Sequence, residues 1–290
     1  MGIIKLFGQG FGTAARKGRM LVLLWFIYFL FSLLIVAPFY FLLESQFSRS
    51  LLGEKLFGGV GLLWLGDLIY KFQDIPPLLS GCMIGTSILF LLFLVFLNGG
   101  IIGRIAAAEE RITLGDFFAD CGRYFGRLFR VFLLSLVGYL FIFGVLGRFI
   151  SIPFRAWSKG ASTQWTTLLS SSFRLLILLL LFSIVKMFFD YVKVTLVVED
   201  SRKTVRTTLR NFRFLGRRFF KAWSLFLLVG LLFVVSTILY LAVAKALPKT
   251  GIGPLFLFLW QQAYIIVRLW ITILFFTTEY GFLKSQRPAV

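Results

Sequence analysis

The sequence predicts an all-α integral membrane protein whose six transmembrane helices form three helical hairpins. Of its 290 residues 59% are hydrophobic and only 15% are charged, and the mean hydropathy is +0.91. This composition excludes a soluble globular domain. Six apolar runs approach the roughly 20 residues with which a helix crosses a bilayer. A basic Gly-Arg motif precedes three of them, which indicates a repeated supersecondary unit.

The predicted spans follow one another along a single membrane domain that covers residues 1–290. They are residues 20–43, 83–108, 128–146, 175–195, 222–244 and 253–277. Helices are expected because backbone polar groups in lipid must be satisfied within the segment. The repeat divides the domain into units 1–110, 111–200 and 201–283.

Each unit is predicted to begin with a short basic amphipathic helix, which we call an elbow. The motif occurs as Gly18-Arg19, Gly126-Arg127 and Gly216-Arg217. The outgoing span follows the elbow, and a returning span ends in acidic residues. Those acidic ends are Glu109-Glu110, Glu199-Asp200 and Glu279.

The elbows combine a basic stripe with a neighbouring apolar stripe at helical spacing. The basic residues are Arg123, Arg127 and Arg130 in the second elbow and Arg202, Arg206, Arg210, Arg213 and Arg217 in the third. Such a helix is expected to lie in the headgroup plane with its aromatic residues toward lipid. It either anchors the bundle or recruits anionic phospholipids or the acidic face of a partner. Nucleic acid is not expected as a partner, because the aromatic residues would face lipid rather than bases.

Positive charge predicts the orientation, because Lys and Arg accumulate on the cytoplasmic side. The N-terminus, the 104–130 connection, the 186–221 connection and the C-terminus hold 4, 5, 10 and 2 of the 31 basic residues, whereas the opposite loops hold 9. Both termini are therefore expected in the cytoplasm.

Polar residues inside the spans are costly and are candidates for function. Arg268 lies near the middle of the last span, and its spacing from Gln261 and Tyr264 puts the three on one face, which we expect to turn inward. Asp190 is the expected counter-ion unless Lys186, one turn earlier, holds it as an i,i+4 pair. The alternatives are structural pairing, a polar cavity or substrate path, and snorkelling to the interface.

The second span carries small residues at four-residue spacing, which allows another helix to approach closely. They are Gly99, Gly103 and Ala107, with Asn98 beside them as a possible interhelical hydrogen-bonding group. The pattern indicates packing within the chain or a contact with a second copy or a partner.

Residues 56–72 form an apolar stretch of 17 residues that contains Asp67. It is too short and too polar for a span, so an interfacial or re-entrant segment is the better interpretation.

The residues do not suggest an enzyme. The chain has no histidine, which is the commonest proton shuttle and metal ligand in enzymes. It has only 12 carboxylates. No phosphate-binding loop or metal-spaced cysteine set occurs. We therefore expect no metal and no cofactor.

Residues 192–228, in which an acid-terminated span is followed by a basic helix and an aromatic entry into the next span, resemble a known membrane module. Asn98-Gly99-Gly100 and Gly115-Asp116-Phe117-Phe118 are similar to the earlier half of the same pattern. The module is the membrane domain of bacterial glycerophosphodiester phosphodiesterases and of related stand-alone inner-membrane proteins. The family's catalytic His and Glu residues have no counterpart here. The resemblance implies a six-helix module of a bacterial cytoplasmic membrane without hydrolytic activity.

Together these features favour a non-catalytic membrane subunit or scaffold that binds other membrane proteins or a second copy of itself. The alternative is a permease or lipid-handling transporter with a polar path around Arg268.

Overall fold

The computed structural model describes residues 2–47, 75–107, 113–159, 163–248 and 251–286. Throughout these ranges the chain is helical and has no β-strand. The helices are α1 (Ile3–Arg16), α2 (Gly18–Phe47), α3 (Ile75–Ala106), α4 (Leu114–Leu140), α5 (Gly147–Lys159), α6 (Gln164–Val198), α7 (Thr204–Gly216), α8 (Phe219–Ala246) and α9 (Gly253–Gln286), with a π-helical turn at Phe141–Leu146.

Six described segments are long and apolar enough to cross a bilayer. They are Gly18–Ala37, Ser80–Ala106, Leu114–Ser158, Trp165–Val198, Phe219–Ala246 and Gly253–Gln286. Each overlaps one of the predicted spans, so the expected all-α, multi-pass membrane protein is confirmed. The segment predicted as interfacial or re-entrant, residues 56–72, lies outside the described residues.

The chain divides into two compact units, Val22–Leu94 and the remainder, which joins Met1–Leu21 to Val95–Val290. In the smaller unit α2 and α3 pack through aromatic side chains. The rings of Phe31 and Phe93 stack with centroids 3.9 Å apart, and Tyr28 meets Phe90 edge-on at 6.3 Å. The four rings of Tyr28, Phe31, Phe90 and Phe93 form one aromatic cluster between the two helices.

The larger unit contains the other two hairpins. Phe226 packs against Phe275 with ring centroids 4.9 Å apart, and Tyr240 stacks on Tyr264 at 4.3 Å, so α8 and α9 are antiparallel. In the same way α4 pairs with α6, where Val131, Val192 and Leu196 share one buried cluster.

The elbows differ from the expectation in one case. α1 and α7 are separate short helices, but the second elbow continues without a break into the span as part of α4. Thr113 caps α4 by accepting a hydrogen bond from the Asp116 backbone N–H at 3.1 Å, as the capping-box spacing of these two residues in the sequence indicates. Gly126 does not interrupt this helix, which runs unbroken from Leu114 to Leu140.

α1 packs lengthwise against the last turns of α9. Its buried face consists of Leu6, Gly10 and Ala14, at four-residue spacing. The Gly10 carbonyl accepts a hydrogen bond of 3.1 Å from the Thr277 hydroxyl, and a side chain at Gly10 would overlap Thr278. The face of α1 formed by Leu6, Gly10 and Ala14 thus packs over the part of α9 that carries Glu279.

Candidate functional site

A cluster of charged side chains lies in the larger unit, in the C-terminal parts of α6 and α9 and beside α1 and α7. Asp190 lies at their centre and is only 3% exposed. Its two carboxylate oxygens accept hydrogen bonds from the ammonium groups of Lys186 at 2.5 Å and Lys193 at 2.7 Å. One buried carboxylate therefore holds two lysines of its own helix. This arrangement answers the question left open by the sequence: the counter-ion of Asp190 is Lys186, joined by Lys193, and not Arg268.

Glu279 completes this group from α9. Its side chain is 2% exposed, and neither carboxylate oxygen accepts a hydrogen bond from a residue that the structure describes. The Lys186 ammonium lies 5.0 Å from the ring centroid of Phe275, one helical turn before Glu279. Sequence reasoning treated Glu279 only as the acidic end of a returning span. A carboxylate within an apolar run is the sequence feature that could have marked Glu279 as buried. Its burial, however, results from the packing of α1 against this part of α9.

Arg268 does not turn inward as expected. It is exposed in the single chain, as is Gln261, because the next residue, Leu269, occupies the buried face of α9. The guanidinium lies 5.9 Å from the ring centroids of both Phe233 and Tyr264. No carboxylate within the described ranges pairs with it. Arg268 is thus a cation on the outer surface of the α8–α9 hairpin.

Tyr264 remains partly covered between α8 and α9. Its hydroxyl shares a hydrogen bond of 2.8 Å with the Thr237 hydroxyl, and its ring stacks on Tyr240. The three residues predicted to line one face therefore separate into a packed tyrosine and two exposed polar groups. The polar interior path that this face suggested is absent from the described part of the hairpin.

The small residues of α3 pack within the chain, against α4. A β-carbon at Gly99 would lie 3.2 Å from the Asp120 carbonyl oxygen, and one at Gly103 would lie 2.7 Å from the Asp120 carboxylate. Asn98 is half-buried beside them, whereas Ala107 is exposed in the turn that ends α3. The close approach explains why these positions hold glycine.

That close approach also makes an ion pair which sequence reasoning missed. The Arg104 guanidinium meets the Asp120 carboxylate at 2.6 Å, and their side chains are 12% and 13% exposed. The Lys17 ammonium donates to the Arg104 carbonyl oxygen at 3.3 Å. The sequence feature that marks this pair is an arginine at the end of an apolar run with an acid 16 residues later.

The acidic pair after α6 joins two elbows. Asp200 accepts hydrogen bonds from Arg127 at 2.5 Å and Arg123 at 2.8 Å, while Glu199 pairs with Arg210. Hydrogen bonds from Arg127 and Arg123 lower the pKa of Asp200 below its ordinary value. Its contribution to stability is therefore present at neutral pH and lost as the pH falls through that lowered pKa.

All of the remaining predicted arginines of the elbows face outward. Arg130 is exposed on α4, and four more are exposed on or beside α7. These four are Arg202, Arg206, Arg213 and Arg217.

Comparison with protein-family models, with curated proteins and with solved structures finds no match to this chain.

Proposed function

We propose that this membrane protein is a non-catalytic subunit that assembles with another membrane protein through the α8–α9 hairpin, and that it resides in a bacterial cytoplasmic membrane with both termini in the cytoplasm. The observation that carries the proposal is Arg268, an exposed cation near the middle of the span Gly253–Gln286. A guanidinium there costs roughly 2.5 to 3.5 kcal/mol on insertion scales. Beyond its two ring contacts, no acceptor among the described residues receives a hydrogen bond from the guanidinium.

The partner in this proposal is a transmembrane helix that carries a carboxylate at the depth of Arg268. Around Arg268 the surface is apolar, since Ile266 and Val267 on α9 and Val234 on α8 are all exposed. An apolar helix with one acidic residue complements this surface in both shape and charge.

A different protein fits better than a second copy of the chain. Two acids within the described spans, Asp190 and Glu279, are buried, and Asp120 is paired with Arg104. Glu44 is exposed, but it lies near the far end of α2. No acid of a second copy is therefore available at mid-span within the described ranges.

The test is purification from the native host in mild detergent, followed by native mass spectrometry. We expect a stoichiometric protein companion with the wild-type chain and with Arg268→Lys, and at least a tenfold lower yield of it with Arg268→Leu. Lys245→Leu removes an equal charge from the end of α8 and should retain the companion.

Retention of the companion by Arg268→Leu, or a wild-type chain without any companion, would contradict the assembly function. A lone chain holding a defined amphiphile that Arg268→Leu releases would instead favour the transporter alternative.

A further inference from the structure

The elbow helix α7 is held at the membrane surface by its position in the chain. The span before it ends at Val198 and the span after it begins at Phe219. Between them lie only the acidic turn, the 13 residues of α7 and two turn residues. Both ends of α7 are therefore tethered at the boundary between hydrocarbon and water.

The face that α7 buries against the protein is polar except for Leu215, which is 2% exposed. It carries Thr204, Thr207 and Asn211, which are 5%, 3% and 0% exposed. The Thr195 hydroxyl of α6 donates to the Asn211 side-chain oxygen at 3.2 Å, and the hydroxyls of Ser201 and Thr207 share a hydrogen bond of 3.1 Å. Polar contacts thus fix the rotation of α7 about its axis.

The apolar face of α7 is left outside. Val205, Leu209 and Phe212 are 62%, 68% and 69% exposed. A helix of a soluble protein buries its apolar stripe in the core, so this reversed arrangement is typical of a helix that inserts its apolar face among lipid chains.

A groove of about 720 Å³ runs beside these apolar residues and is rimmed by cations. Lys203, Arg206 and Arg213 line it, and no described carboxylate pairs with any of them. Arg210 also lines the groove but is occupied by Glu199. The volume lies within the range of ordinary ligand sites, roughly 300 to 1,000 Å³.

We propose that this groove binds the headgroup of an anionic phospholipid, independently of the assembly function above. Lys203, Arg206 and Arg213 meet the phosphate, and Leu209 and Phe212 meet the first part of the acyl chains. Arginine suits this task because its planar guanidinium binds phosphate oxygens with two parallel hydrogen bonds. The long side chains reach the phosphate level while their stems remain in the apolar layer.

The experiment titrates the detergent-solubilised full-length protein with phosphatidylglycerol and, separately, with phosphatidylcholine, and counts bound lipids by native mass spectrometry. The test variant is Arg206→Gln with Arg213→Gln. The matched control is Arg148→Gln with Arg155→Gln, which removes two exposed arginines from α5. We expect phosphatidylglycerol to bind roughly 30-fold more weakly to the test variant, about fivefold for each arginine lost, and unchanged to the control.

A second variant, Leu209→Ser, keeps every charge and should weaken phosphatidylglycerol binding while leaving the protein folded, because Leu209 is exposed. Equal loss in the test and control variants would overturn the proposal by showing unspecific attraction. Equal binding of phosphatidylcholine would overturn it as well. Displacement of the lipid by inorganic phosphate at the same concentration would reassign the groove to a free anion.

Discussion

Among single residues, Asp190 stands out because its carboxylate is buried and contacts the ammonium groups of two lysines. A buried ion pair is not by itself strong evidence for stability, since desolvation offsets much of the attraction. Removing the carboxylate is a different matter, because the ammonium groups of Lys186 and Lys193, whose side chains are only 39% and 20% exposed, lose the partner that compensates their partial burial. We therefore expect an isosteric substitution of Asp190 to have a large effect on the free energy of unfolding.

We expect Asp190→Asn to lower the free energy of unfolding by about 3 kcal/mol, because Lys186 and Lys193 lose their carboxylate. Asp200→Asn is the matched control. Asp200 also meets two cations, but its side chain is 47% exposed, so the change should cost less than about 1 kcal/mol. Reversible unfolding in mixed micelles measures both variants. Equal losses would contradict the importance that we assign to burial.

Among the helices, glycine residues allow neighbouring helices to approach each other closely in two places. Gly99 and Gly103 let α3 approach α4, and Gly10 lets α1 approach α9. In both cases the backbone of one helix meets side chains or backbone of the other. Dispersion contacts and hydrogen bonds, rather than hydrophobic burial, hold helices together where lipid is the alternative environment.

We expect Gly10→Ala to destabilise the protein by roughly 1 to 3 kcal/mol, because the new methyl group overlaps the Thr278 side chain. Gly12→Ala is the control on the same helix, where a β-carbon meets nothing within 4 Å. It should stabilise α1 by about 0.5 to 1 kcal/mol, as expected for glycine replaced inside a helix. Thermal unfolding followed by tryptophan fluorescence measures both, and a Gly10→Ala protein as stable as Gly12→Ala would disprove the packing role.

For the molecule as a whole, the number and order of the spans determine which side each connection faces. We expect the six described spans to place both termini on one side of the membrane, and the basic residues predict that this side is the cytoplasm. The same orientation predicts that the connection between α5 and α6 lies outside the cytoplasm.

Impermeant maleimide labelling of single cysteines tests this orientation in a Cys82→Ser, Cys121→Ser background. Thr163→Cys, at the exposed start of α6, should react in intact cells. Ser285→Cys, exposed near the end of α9, should react only after permeabilisation. The reverse pattern would place both termini outside.

Much of the architecture was predictable because membrane spans are marked by length and composition alone. The six spans and the cap at Thr113 follow from local sequence, since backbone satisfaction in lipid and capping both depend on neighbours along the chain. The sequence also offers Lys186 as the partner of Asp190, in place of Arg268, because Lys186 and Asp190 are four residues apart on one helix.

The burial and pairing of the site residues were less predictable wherever they depend on a helix that is distant in the sequence. A helical wheel placed Arg268, Gln261 and Tyr264 together but could not tell the buried side of α9 from the exposed side, since both are apolar in a membrane protein. The Arg104–Asp120 pair and the burial of Glu279 depend on helices that meet only after folding.

The amino-acid sequence alone was sufficient to establish a helical, multi-pass membrane protein with basic helices between its spans, because these properties come from hydropathy and periodicity. Tertiary packing was needed to bury Asp190 and Glu279, to leave Arg268 on the outside and to turn the polar face of α7 toward the protein. These outcomes depend on which helix occupies each face, and in lipid hydropathy no longer distinguishes the inside from the outside.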